Sequence, residues 1–274
     1  MNVDADAPIV TTRSSTEPRS SGGRPALSWA GIRPIERVCC LVGAALVVSG
    51  LFHLGVFAVR GGPWDGPVSW RKPTTFGISF GLTLIAVTRV TTYLILGPRA
   101  RAWLLGVLAT DCVVEVTGIT VQAWRHVPSH FNTETPVDTV VAMSLALGGA
   151  VLIATLGALA VTAIRGRVHA TRDMRMALQA GFVLLLLGLA TGVAMIARGE
   201  KLVKSGHLQA AYHSAGSLKW VHGVTLHAIL VLPALATVLA YLGWDEDRRA
   251  RAVAGATGLY VMATIAVLAV SLLR

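Results

Sequence analysis

Seven apolar runs, at roughly 38–59, 74–96, 103–124, 139–164, 177–197, 221–242 and 253–273, constrain this chain more than any other feature. Each reaches the ~20 residues that carry an α-helix across the hydrocarbon core of a bilayer. The apolar residues run continuously and do not alternate, which excludes a β-barrel. The expected fold class is therefore all-α, an integral membrane bundle of about seven transmembrane helices. Only 14% of the 274 residues are charged, against about 25% in a typical soluble domain, so little polar surface remains for water. Residues 1–37 are rich in Ser, Thr, Pro, Gly and Arg and lack an apolar face, so they read as a disordered cytoplasmic tail. Residues 38–274 form the membrane domain. The first run is too long for a signal-peptide core and no A-x-A-like site follows it.

The net charge is +10, but the basic residues lie in short groups between the apolar runs, as loop charges do. Nucleic acid is excluded as a partner on that ground, and membrane lipids are the expected surroundings. With the N-terminus inside, the inner segments hold 14 Lys and Arg and the outer ones 9, with Arg89 inside the second helix. This bias predicts a multi-pass protein of the cell membrane with a cytoplasmic N-terminus and an outside C-terminus. Trp64, Trp70, Trp124 and Trp220 fall at predicted outer ends and Trp103 and Trp244 at inner ends, as in an interfacial belt. Cys39, Cys40 and Cys112 all lie in apolar stretches, so no structural disulfide is expected. Thr135-Pro136-Val137-Asp138 reads as a helix start, with Thr at the N-cap and Pro at the first helical position.

The third helix carries the most informative pattern. Asp111, Glu115, Gly118 and Gln122 recur at spacings of four, three and four, and His126 follows four later. That is one polar face of an otherwise apolar helix. Carboxylates in a span are costly and face the bundle interior or a wet cavity. Two of them one turn apart cannot both ionise cheaply in a poorly hydrated site. Asp111, Glu115 and Gln122 are accordingly the candidate catalytic or proton-handling residues; the plain alternative is a polar network that only holds helices together.

Seven of the eight histidines fall in the predicted outer half. His53, His222 and His227 lie inside spans, where imidazoles serve as cofactor ligands or proton carriers. His222 and His227 are five residues apart, about 140° around an ideal helix, so they should face different neighbours. His126 and His130 sit in the loop that follows the acidic stripe and are the candidate metal ligands. Lys72 and Arg125 are the candidate cations for a substrate or anion at the outer mouth. In the second helix Lys72, Thr75, Ser79 and Thr83 form a quieter stripe.

Trp70-Arg71-Lys72-Pro73 running into Phe76-Gly77-Ile78-Ser79-Phe80, Gln122-Ala123-Trp124-Arg125 with Ser129-His130-Phe131-Asn132, and His222-Gly223 with Leu226-His227-Ala228 together resemble a family of bacterial multi-pass membrane proteins of uncharacterised function. The resemblance implies no activity, but it implies that the three stretches form one site.

The leading functional expectation is an outward-facing His/carboxylate site binding a redox cofactor or a transition metal. Haem b comes first, serving electron transfer or oxidation of a quinone or other lipophilic molecule. No CxxCH occurs, so any haem would be non-covalent. Two other readings stand beside it, and neither needs a cofactor. One is a proton-coupled small-molecule transporter working through the acidic stripe. The other is a membrane enzyme, such as a prenyl-substrate cyclase with Glu115 or Asp111 as general acid.

Overall fold

A computed structural model describes residues 32–213, 216 and 218–273; the tail expected at 1–37 lies outside them up to residue 31. The described residues form α1 (Pro34–Arg60), α2 (Arg71–Thr91), α3 (Pro98–Trp124), α4 (Pro136–Ile164), α5 (Arg172–Lys204), α6 (Leu208–Tyr212), α7 (Leu218–Leu226), α8 (Ala228–Tyr241) and α9 (Glu246–Leu272). Taking α7 and α8 together as one span, seven helical segments are long and apolar enough to cross a membrane. The chain is a multi-pass, all-α membrane protein.

Every span begins several residues before its apolar run. Hydropathy marks only the part that lies in hydrocarbon, while the first turns carry residues that start helices or sit among headgroups. Pro34, Pro98 and Pro136 occupy first-turn positions where no N–H is needed. The four residues 34–37, expected in the tail, are thus helical. Thr135 caps α4 as its sequence predicts, its Oγ1 accepting from Asp138 N at 3.2 Å. In contrast, α2 stops at Thr91, short of the expected 96. The chain from Tyr93 to Ile95 instead pairs with the α4–α5 loop: Ile95 N donates to Arg167 O and His169 N to Tyr93 O, both at 2.8 Å. The buried Arg101 guanidinium donates to the carbonyls of Thr91 and Leu94 and so fixes this turn.

The sixth span is interrupted at His227, between α7 and α8. α5 is the hub, packing against α4, α6, α7, α8 and α9. α1 and α2 make the closest seam. A Cβ on Gly77 would lie 2.8 Å from the Gly50 Cα, and one on Gly50 2.7 Å from Thr74 O. Only glycine lets two backbones meet this closely, the familiar device of membrane helix pairs. The apolar core between helices is built from Leu84, Leu105, Leu108, Leu159, Phe182 and Ile229, among others. α2 and α3 are the most enclosed spans, with 44% of each apolar window buried, whereas α9 has 11% and turns Leu259, Met262 and Ile265 outward. The polar stripe on α3 therefore lies on a helix that can hide it.

Candidate functional site

Five acidic side chains are buried among the described residues: Glu36, Asp111, Glu115, Asp138 and Asp173. Three of them meet an arginine. Glu36 lies 2.8 Å from Arg33 and 3.7 Å from Arg101, Asp138 2.5 Å from Arg125, and Asp173 2.8 Å from Arg249. Asp111 and Glu115 have no ion pair among the described residues. Asp111 Oδ2 is buried with no hydrogen-bond partner, although a buried polar atom normally finds one.

The α3 stripe divides into two parts. Near its Trp124 end, Gln122 Nε2 donates to Asp138 Oδ1 at 2.8 Å. Arg125 Nη1 donates to both Gln122 Oε1 and Asp138 Oδ1 at 2.5 Å, and Thr135 Oγ1 to Asp138 Oδ2 at 2.6 Å. This network ties the end of α3 to the start of α4 and engages both Gln122 and Arg125. One turn further along, Leu145 closes over Gly118. Beyond that apolar seal, Asp111 and Glu115 face Gly148 of α4 near the middle of both helices. A Cβ on Gly148 would lie 2.6 Å from Glu115 Oε1 and 2.9 Å from Asp111 Oδ1, so glycine there makes room for the carboxyls. Asp111 also lines a groove of about 600 Å³ between α3 and α4. The groove is bordered by Thr110, Val114, Ser144, Leu147, Gly148 and Val151.

The histidines occupy separate surroundings. His53 lies between α1 and α3: its Nδ1 is 2.7 Å from Ser49 O, and its Nε2 accepts from Trp124 Nε1 at 3.1 Å. Trp70 stacks on its other side. Both ring nitrogens are thus occupied, and an axial-ligand role would require breaking the Trp124 bond. His222 faces α5, with Nδ1 2.8 Å from Gly188 O, while His227 faces α2, with Nε2 3.3 Å from Ser79 Oγ. This is the divergence that their spacing predicts. Among the described residues the three share no hydrogen-bond partner, an arrangement that does not fit an axial pair for haem built on His53.

His126 and His130 are also apart. His126 borders Trp70, whereas His130 lies between Phe76 and Phe131, with Nδ1 2.9 Å from Ser129 Oγ. Among the described residues no three His, Cys, Asp or Glu side chains gather as a metal ion would need. Lys72 Nζ donates to Ser129 Oγ at 3.4 Å, close to His130. Burial, and next the nearby Lys72 ammonium, push the His130 imidazole down to about 4. The loop takes left-handed backbone angles at His126 (φ 57°) and Phe131 (φ 61°), which non-glycine residues adopt only when their surroundings hold them. Phe131 is held by α5, its ring filling the space where Gly199 lacks a side chain.

The three stretches that carry the resemblance do meet, through α2 and the Trp70 that precedes it. Trp70 touches Trp124, Lys72 touches Ser129, Phe76 touches His130, and Ser79 touches His227. Trp70, at the start of α2, is buried in the His53–Trp124 cluster. Sequence reasoning missed Gly148, for which the Gly148-Gly149 pair within α4 was an available signal. It also read Asp138 only as part of a cap. No family model, curated protein or solved structure matches this chain.

Proposed function

We propose that this membrane protein is a proton-coupled small-molecule transporter, in which Asp111 and Glu115 together are the proton-carrying group. One observation carries the reading: of the five buried acids among the described residues, these are the two that no described arginine neutralises. Structural carboxylates in this molecule are paired, as burial demands. Unpaired ionisable groups inside a membrane mark ion and proton pathways. Holding one proton between two carboxyls removes their repulsion and one charge from the low-dielectric interior. Among the described residues no charged group from a neighbouring helix pairs with them. The other titratable groups nearby are Cys112 on α3 and, across from it, Cys39 on α1.

The arginine distribution supports a cytoplasmic N-terminus and an outside location for the loop at 125–135. Labelling a cysteine placed at the exposed Thr133 from the outside, in an otherwise cysteine-free protein, tests that orientation; labelling only from the cytoplasm reverses it. The functional reading is tested by charge movement on a solid-supported membrane after a pH jump, which needs no known substrate. Wild-type protein is expected to give a transient proton-binding current that Asp111→Asn and Glu115→Gln each reduce and the double variant abolishes. A current unchanged in the double variant overturns the proposal.

A further inference from the structure

The geometry points to the α3–α4 groove as a binding site for a lipophilic ammonium ion, which displaces the shared proton from Asp111 and Glu115. This inference rests on the proton-carrying reading above and assigns the class of solute that the same site takes.

The groove has one anionic spot in a mostly apolar wall. Asp111 is 6% exposed, lines the groove, and keeps Oδ2 without any hydrogen-bond partner. A buried acceptor in that state lacks a donor, and an N–H of an ammonium supplies one together with the missing positive charge. Two oxygens flank the position. Thr110 lies one residue before Asp111, and Ser144 stands across on α4. The Ser144 hydroxyl donates to its own backbone at Val140 O, 2.8 Å away, which leaves its oxygen free to accept. The rest of the wall is apolar and includes Trp103, Val107, Val114, Leu147 and Val151, which suits an alkyl chain. A hydrophilic cation gains nothing from those residues, and a neutral alcohol leaves the charge unmatched. The ligand class is therefore an alkylammonium or similar amine that partitions into the bilayer and enters sideways between α3 and α4.

Charge balance follows from the same geometry. With one proton shared by the two carboxyls the site carries one negative charge, and the fully deprotonated pair carries two. Arrival of one ammonium as the proton leaves keeps the total constant. Binding and proton release are then one exchange, the elementary step of an amine–proton antiporter.

The test uses n-octylammonium as the probe and n-octanol as its uncharged counterpart. Purified full-length protein in lightly buffered detergent is titrated with each, and both heat and released protons are recorded. The account expects saturable octylammonium binding with release of about one proton, and no proton release with octanol. Asp111→Asn should weaken binding at least about tenfold by removing the counter-charge. Ser144→Leu should do so by filling the groove while leaving both acids in place. Size-exclusion and circular dichroism profiles confirm that each variant is folded. Equal binding by wild type and a folded Ser144→Leu protein overturns the groove assignment. Octylammonium binding without proton release overturns the exchange. If octylammonium does not bind although the pH-jump current persists and depends on Asp111 and Glu115, the solute class is wrong and the proton reading stands. Loss of that dependence removes both.

Discussion

At the Trp124 end of the α3–α4 interface, Asp138 is surrounded by donors from Gln122, Arg125 and Thr135. Two to three turns of α3 away in the same interface, Asp111 and Glu115 have no ion-pair partner among the described residues. Both places bury carboxyls between the same two helices, so burial alone does not distinguish them. What differs is whether the fold supplies a positive charge. Where it does, the acid holds helices together and can be understood as architecture. Where it does not, the acid destabilises the fold, and its presence calls for another reason.

The strongest way to break this comparison is to remove one partner from each kind of acid. Arg101→Ala takes one of two arginines from Glu36, which keeps Arg33 at 2.8 Å, and removes the charged donor to the Thr91 and Leu94 carbonyls. It should lower unfolding stability by about 1.5–3 kcal/mol, through the lost charged hydrogen bonds. Arg249→Ala, which strands Asp173, should act in the same direction. Asp111→Asn and Glu115→Gln should leave thermal stability in detergent unchanged or raise it, because each removes an uncompensated charge. If they destabilise as much as Arg101→Ala, the two classes of acid are one class.

A second contrast lies in helix packing. Gly77→Val drives a side chain into the Gly50 backbone at the α1–α2 seam and should cost about 1–3 kcal/mol. Gly106→Ala on the groove side of α3 meets nothing within 4 Å and should be neutral or stabilising. Equal losses for both would mean that the groove beside the acid pair is closed.

A third concerns the loop. The His130 imidazole is held down to about 4 from 6.5 by burial and by Lys72. A lowered folded value means that its contribution to stability is complete above about 6.5 and is lost as pH falls toward 4. His130→Gln should flatten the thermal-stability profile across that window; an unaltered profile would place the imidazole in water. The smallest effect expected is for Trp124→Phe. It removes the donor to His53 Nε2 and should cost about 0.5–1.5 kcal/mol, with no change in the pH-jump current.

How much of this is legible in the sequence depends on the range of the interaction. The number of spans, the α4 cap and the divergence of His222 from His227 are set by residues within one helix. Residue type and spacing state them directly. The acidic stripe was visible for the same reason, but its division into a paired and an unpaired half was not. That division depends on Asp138 arriving from α4 beside Gln122, and on Leu145 closing over Gly118. Likewise His126 and His130 look like a metal pair in sequence, yet the left-handed turns at His126 and Phe131 send them to different neighbours. The Tyr93–Ile95 stretch is apolar enough to read as helix. Its pairing with the α4–α5 loop, two helices later, ends α2 instead.

The central claim is that Asp111 and Glu115 share a titrating proton within the bundle. Infrared difference spectroscopy of reconstituted protein, taken while pH is stepped, observes that proton directly. The account predicts a protonated-carboxyl band that responds to pH in the wild type and shifts in either single variant. In Asp111→Asn/Glu115→Gln the band should vanish while the amide bands show an intact fold. A band of the same size in the folded double variant, or no titrating carboxyl beyond those exposed to water, would contradict it.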